Sequence, residues 1–595
     1  MGENTDFDPQ SEYARRLDLR RQADAAQETL DGRIAVARLM AAAAAGLLAW
    51  LAFVSAHVPF WWTALPALGF ILLVIGHERV RRKRRRLRRA IQYYLRGIGR
   101  LENRWAGAGN PGDRFLDPSH PYAEDLDLFG RGSLFELLCA ARTQAGESRL
   151  ATWLLAPAPP SGVADRQAAA GELSGRLDFR EDLATCGEDV VSGIDPGELI
   201  AWGEAPPWPV PSGLRIIAAA VAGIATITLI LWLGFDRARS IFLLAVLAEA
   251  VLMLYLWRAI RTVLTAAERP AQNLALLAEI LGRLEQADFT GPCLRKLRTA
   301  LAGPGPSPSK QIAGLNRIIA LRRQLFAPLA ALLLWDIQMA FAVESWRKQS
   351  GRSIAGWLGV AGEMEALCSL AQHAYEHPSD PFPEIAQDGP LFEAEAIGHP
   401  LLPEPACVRN DIRLSGEMRV LVVSGSNMSG KSTLLRTIGI NAVLALAGGP
   451  VRARRLKLSP LAVGASIQRR DSLQAGTSRF YEEILRLRRL VEITEGPLPL
   501  IFLLDELLHG TNSHDRRIGA DALVRDLLRR NAVGLLTTHD LALSQIAEDL
   551  APGAANVHFE DTVQDGRLVF DYRLRPGIVR RSNALALMRA VGLPI

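Results

Sequence analysis

Cysteine is scarce: five thiols, Cys139, Cys186, Cys293, Cys368 and Cys407, in 595 residues. No two form a C-x-x-C pair or sit at metal-ligand spacing. That excludes a disulfide scaffold and a zinc framework, and it reads as inert thiols of a reducing compartment. A dominant charge is also missing. The formal net charge is only +5, too diffuse to imply a nucleic-acid partner by itself. No internal repeat is found. A cleaved signal peptide is not expected, because residues 2–33 are too long and too charged a leader. What the chain has in excess is apolar residues, 49%, and the excess is localised.

Residues 39–56 and 58–76 are apolar and free of charged side chains, each about long enough to cross a bilayer core. Pro59, Trp61 and Trp62 fall where a short connection and an interfacial anchor belong. A dense basic run, from Arg79 to Arg89, follows at once. Beside a membrane span it argues cytoplasmic retention and contact with anionic lipid. Arg15, Arg16, Arg20, Arg21, Arg33 and Arg38 place the other end on the same side. A second pair of spans is read at residues 216–235 and 241–257, with Glu249 inside the latter. An acid within a membrane is functional by default, and a buried core helix pair is the alternative. Two hairpins give a multi-pass protein of the inner (cytoplasmic) membrane with its C-terminal half in the cytoplasm.

Between the hairpins and the C-terminal half, leucine-rich faces predict helices. One capped helix is expected over residues 125–138, long helices over 264–300 and 311–347, and a last one over 363–375. The segment from Gly303 to Pro308 breaks the run.

The C-terminal half carries the chemistry. An apolar run, Val420-Leu421-Val422-Val423, leads into Gly425-Ser426-Asn427-Met428-Ser429-Gly430-Lys431-Ser432-Thr433. A helix-like stretch begins at Leu434. Strand, glycine-rich loop and helix form the context in which backbone N–H groups cradle a phosphate chain. Lys431 then reaches the β- and γ-phosphates of ATP, and Ser432 ligates Mg²⁺. The run Leu500 to Leu504 ends in Asp505-Glu506: an acid for Mg²⁺, then one to polarise the attacking water. His539 follows another buried run at a strand C-terminus and reads as a sensor of the γ-phosphate.

The phosphate loop, the string Asp505-Glu506-Leu507-Leu508-His509-Gly510-Thr511-Asn512 and the segment from Asp471 to Glu483 together resemble the MutS mismatch-repair ATPases. So do His399-Pro400, Asn410-Asp411-Ile412, and an ending with Tyr572, Pro576-Gly577, Ser582 and Gly592-Leu593-Pro594. Ser426, Ser429 and Leu508-His509 depart from the family's usual residues. The resemblance implies a homodimer with a composite ATP site, in which Ser478 reaches the γ-phosphate held by the partner. It also implies a DNA ligand, mismatched or branched. The family's mismatch-recognition and clamp domains are not expected here.

The expected fold is an α/β P-loop ATPase domain, ABC-type and MutS-like, C-terminal to an all-α core with two transmembrane hairpins. The layout is a cytoplasmic tail (1–33), first hairpin (34–77), basic juxtamembrane segment (78–122), core (123–207 and 263–385) around the second hairpin (208–262), and ATPase domain (386–595). An ABC-type transport ATPase is one alternative, although Leu414-Ser415-Gly416 precedes the loop, where its signature does not belong. An ATP-switched membrane scaffold is the other.

Overall fold

The computed structural model describes residues 8–54, 59–187, 195–211, 213–303, 305–324, 327–426, 428–467, 479–508, 511–564 and 567–579. Asn427, Asp471 to Ser478, His509, Gly510, Ser582 and Gly592 to Pro594 lie outside the described residues.

The tail and the first apolar run form one helix, α1 (Pro9–Val54). The second apolar run continues through the basic run as α2 (Ala64–Leu101). Their far ends leave apolar side chains bare: Leu39 is 73% exposed, Phe53 91% and Leu65 72%. Their near ends are polar and packed. Arg84 meets Asp24, Glu28 and Asp31 at 3.4, 2.7 and 3.0 Å. Arg86 pairs with Asp182 at 2.6 Å, and Arg20 with Glu181 at 2.7 Å. Much of the basic run is thus neutralised within the protein. Arg79, Arg81 and Lys83 stay exposed and have no ion pair among the described residues.

A tyrosine cluster fixes this stalk to the core: the Tyr13 ring lies 5.6 Å from Tyr94 and 5.3 Å from Tyr375. Glu376 accepts from the Tyr13 hydroxyl at 3.1 Å and from Arg100 at 2.8 and 2.7 Å. It is the last residue of α5 (Ile354–Glu376), a core helix whose chain runs on into the ATPase region.

The second apolar pair is α3 (Gly213–Phe235) and α4 (Arg239–Gln286). Ile216 is 73% and Leu254 80% exposed, whereas Glu249 is buried. Beyond residue 262, α4 runs on without a break into the core, where Leu274, Ile280 and Leu284 are fully buried. Among the described residues, five helical stretches are long and apolar enough to cross a membrane; the one within residues 335–376 is mostly buried in protein.

Three helical expectations are corrected. Residues 125–132 form turns, and the helix is only Leu134–Leu138, capped by Ser133, whose hydroxyl accepts the Glu136 N–H at 3.2 Å. Asp127, Gly130 and Gly132 take left-handed backbone, which no helix continues through. The run 264–300 divides at residue 287, and 311–347 divides before Trp335, where Leu334 has φ 46°. A positive φ at leucine is not signalled by composition.

The C-terminal region is built on a six-stranded sheet. Its strands are β1 (Val420–Ser424), β2 (Ala462–Ser466), β3 (Leu500–Asp505), β4 (Val533–Thr538), β5 (Ala554–Gln564) and β6 (Arg567–Pro576), in the order β6-β5-β1-β4-β3-β2. All pairs are parallel except the β5–β6 hairpin. The near-continuous apolar strings of β1, β3 and β4 follow from burial on both faces. The register pairs Ser424 with Thr538 and Asp505 with Thr537, bringing four polar residues to one strand edge. The P-loop helix, α6 (Lys431–Ala447), packs on this sheet and is almost wholly buried. A smaller four-stranded sheet joins Glu384–Ile385, Phe392–Ile397 and Asn410–Leu414, all upstream of β1, with Arg455–Leu458, which follows α6.

Core and ATPase region meet at residues 125–127. Asp125 accepts the Ile467 N–H at 3.0 Å and faces Arg486 at 3.3 Å, while Asp127 pairs with Arg436 at 3.2 Å.

Gly534 sits opposite Phe502 in the sheet, and a Cβ there would meet the Phe502 carbonyl oxygen at 2.1 Å. Gly534→Ala must push β3 and β4 apart, costing about 1–3 kcal/mol. A thermal midpoint lowered by several degrees is the expected result, and an unchanged midpoint would show that the strands give way freely.

Candidate nucleotide-binding site

Polar side chains converge where β1, β3 and β4 end. Gly430 turns the loop into α6 with φ 98°, a conformation favouring glycine. The first amides of α6 have no carbonyl partner within the helix, which makes its start an anion-binding position. Lys431 is buried, and its ammonium donates to the Gly425 and Ser426 carbonyls at 2.8 Å each. Burial lowers its pKa from the usual lysine value, opposed by Glu506 and Asp505.

Ser432 donates to Asp505 Oδ2 at 2.5 Å. The other Asp505 oxygen accepts the Thr537 hydroxyl. Thr537 in turn accepts the Glu506 N–H on Oγ1 at 3.2 Å. Glu506 has φ 49°, an uncommon backbone for a non-glycine residue, of the kind that gathers at functional sites. That turn aims Glu506 Oε1 to within 4.0 Å of Lys431 Nζ and 3.3 Å of His539 Nδ1. Lys431, Ser432, Asp505, Glu506 and His539 are therefore brought together. Ser478 and Asn427 lie outside the described residues.

Lys431, Ser432, Asp505 and Glu506 line a cavity of about 820 Å³, within the range of small-molecule sites. Its far wall is Ile397, His399, Cys407, Val408 and Asn410, and Tyr572 closes one side. Asn410 clamps Tyr572 in place, donating to its carbonyl at 3.0 Å and accepting the Leu574 N–H at 2.7 Å.

Ser426 and Ser429, both in the loop itself, each have a buried hydroxyl with no hydrogen-bond partner among the described residues. Buried polar atoms are normally satisfied, so these orphans suit the oxygens of a phosphate chain. Facing Ser432 and Asp505 oxygens likewise form a hard-oxygen donor pair of the kind Mg²⁺ takes. The residues fit both groups.

Four contributors escape a linear reading. Thr537 positions both acids. Glu483 accepts the Leu508 N–H at 2.6 Å, holding the segment after the acids. Asn441, fully buried in α6, donates to the Gly398 carbonyl at 3.0 Å and accepts the Arg452 N–H at 2.8 Å. Arg452 pairs with Asp380 at 3.0 Å and Glu404 at 2.6 Å. All four act across long sequence separations, and of them only Glu483 closes a segment that the sequence singled out.

Residues 421–595 match the family model described as MutS domain V. The chain is also 34% identical over 214 residues to Endonuclease MutS2 of Thermus thermophilus, an overlap covering 35% of this chain and 27% of that protein. The chain thus spans about a quarter of that relative's length. Residues 421–595 are thus similar to domain V of MutS proteins.

His399, against the cavity, is held down to about 4 by burial, with Arg436 and Arg452 adding repulsion. It stays neutral in the fold while the unfolded chain protonates near 6.5. Its stability contribution is complete above pH 6.5 and is lost as pH falls towards 4, about 2 kcal/mol by pH 5. His399→Asn should reduce the drop in thermal midpoint between pH 7 and pH 5. A residual drop is expected from His373 and His377, also buried and shifted down. An equal drop in variant and wild type would remove His399 from this role.

Proposed function

We propose that the chain is a membrane-anchored MutS-like ATPase, hydrolysing ATP in a composite site of a homodimer and coupling hydrolysis to DNA binding. The observation that carries the reading is the meeting of Ser432 with Asp505 at 2.5 Å, beside a Glu506 that faces both Lys431 and His539. Lys431 and the α6 amides bind the phosphate chain and fix its orientation. Ser432 and Asp505 would hold Mg²⁺, which neutralises charge on the β- and γ-phosphates. Glu506 accepts a hydrogen bond from the attacking water and aligns it with the γ-phosphorus. His539 orients Glu506 from the other side. Ser478 of the partner subunit completes the site.

DNA as ligand rests on the family match and on the name of the MutS2 relative. Anchoring to the inner (cytoplasmic) membrane through two hairpins rests on the four bare apolar helices. Arg79, Arg81 and Lys83 are the residues of the basic run left for anionic lipid. A transport ATPase is less well supported, because Leu414-Ser415-Gly416 ends a strand of the small sheet, upstream of the phosphate loop. A non-hydrolysing scaffold would not require Glu506.

Glu506→Gln should retain ATP binding and lower turnover by about a hundredfold or more, whereas Lys431→Ala should lose ATP affinity. Ser478→Ala should lower turnover only under conditions where the chain dimerises. The test is ATP turnover of the detergent-solubilised chain, titrated with homoduplex, mismatched and branched DNA. A rate change specific to one form names the ligand. Wild-type turnover in Glu506→Gln would end the catalytic assignment, and indifference to all three DNAs would end the DNA assignment alone.

A further inference from the structure

A second cavity, of about 830 Å³, lies well away from the phosphate loop, where α2 meets the helical core. It is as large as the nucleotide cavity. Five arginines line it: Arg89, Arg96, Arg100, Arg104 and Arg142. Arg100 is paired with Glu376, and Arg104 with Glu102. Arg89, Arg96 and Arg142 have no carboxylate partner among the described residues.

Two of those three are also partly shielded from water. Nε and Nη1 of Arg89 and Nε of Arg142 are buried without a hydrogen-bond partner. Arg142 makes one side-chain bond, to the Cys186 carbonyl at 3.4 Å. Its pKa is lowered by burial and by repulsion from Arg89 and Arg96, opposed in part by the Glu365 carboxylate, which also accepts the Arg142 backbone N–H at 2.9 Å. A guanidinium shielded from water without an anion is costly, and repulsion between neighbouring arginines adds to that cost.

The two carboxylates on the cavity wall do not relieve this. Glu136 accepts the N–H groups of Gly107, Gly109 and Gly132 at 2.7, 3.0 and 2.7 Å. Glu147 pairs with Arg114 at 2.8 Å. Both oppose an anion, yet both are already engaged.

We infer that this cavity is a binding site for a multiply phosphorylated small molecule, held by the unpaired guanidiniums of Arg89, Arg96 and Arg142. Planar guanidinium forks match phosphate oxygens in pairs, and three uncompensated cations call for two to three negative charges. Tyr93 and Trp105 on the wall offer flat apolar surface beside them. A bilayer headgroup is out of reach. At the helical rise, Arg89 and Arg96 stand about 20 and 30 Å beyond Gly76, where the apolar part of α2 ends. The headgroup layer adds only about 5–8 Å to the hydrocarbon core. A concave cavity of this volume suits a compact ligand better than a duplex, whose phosphates are tracked along an open surface.

The test uses the full chain in detergent carrying Lys431→Ala, so that the phosphate loop no longer competes. Inorganic tripolyphosphate is titrated by calorimetry, in parallel with vesicles rich in anionic lipid and with duplex DNA. Saturable tripolyphosphate binding is expected, weakened at least tenfold by Arg96→Gln and further by Arg89→Gln with Arg142→Gln. Arg96 is exposed, so its variant reports even if the buried pair cannot be replaced without unfolding. In a chain with Lys431 intact, Arg96→Gln should leave the KM for ATP unchanged. Absence of saturable binding, or equal binding by the Arg96→Gln chain, would overturn the site. Binding to vesicles or DNA alone would overturn it equally.

Discussion

The Thr537 hydroxyl is the joint on which the nucleotide site depends. It donates to Asp505 and accepts from the Glu506 amide, so one side chain sets the positions of both acids. It is able to do so because β3 and β4 are parallel and in register, with Asp505 opposite Thr537. A slip of one residue would turn every side chain of the strand to the other face and would separate the acids from Ser432. Burial of both sheet faces therefore does more than stabilise the domain. It locks the register, and the register places the chemistry.

The parts of the site legible in sequence are those in which chemistry demands a local string. Gly425 to Thr433 must be contiguous to wrap a phosphate chain, and Asp505-Glu506 must end a buried strand to face it. Both were readable for that reason. Thr537, Asn441 and Arg452 were not, because each works through one hydrogen bond across a long sequence separation, and threonine, asparagine and arginine are unremarkable where they stand. The fold divides in the same way. Apolar runs announced the long helices, but the interruptions at Asp127 and Leu334 arise from left-handed backbone that tertiary contacts impose on ordinary residues.

A second chain of contacts joins the bare apolar helices to the ATPase region. Arg100 of α2 and Tyr13 of α1 both end on Glu376, the last residue of α5. Four residues further on, Asp380 holds Arg452, which is bonded to Asn441 within α6 and to Glu404 beside the nucleotide cavity. Apart from Glu404, whose side chain is exposed, the links are buried ion pairs and a fully satisfied amide. Breaking one partner of such a pair strands a charge in low dielectric and costs about 3–5 kcal/mol.

That energetic stiffness bears on how the two ends can influence one another. A surface ion pair contributes little and would yield to small displacements. The Arg100–Glu376 and Arg452–Asp380 pairs cannot yield singly without a large cost, because each carboxylate is almost completely removed from water. A shift of α6 is therefore resisted or transmitted as a unit, through Arg452 and Asp380 to the end of α5 and the base of the α1–α2 stalk. The unpaired arginine cavity lies on this same joint, sharing Arg100 with it. An anion bound there would stiffen the joint further by supplying the counter-charge that Arg89, Arg96 and Arg142 lack.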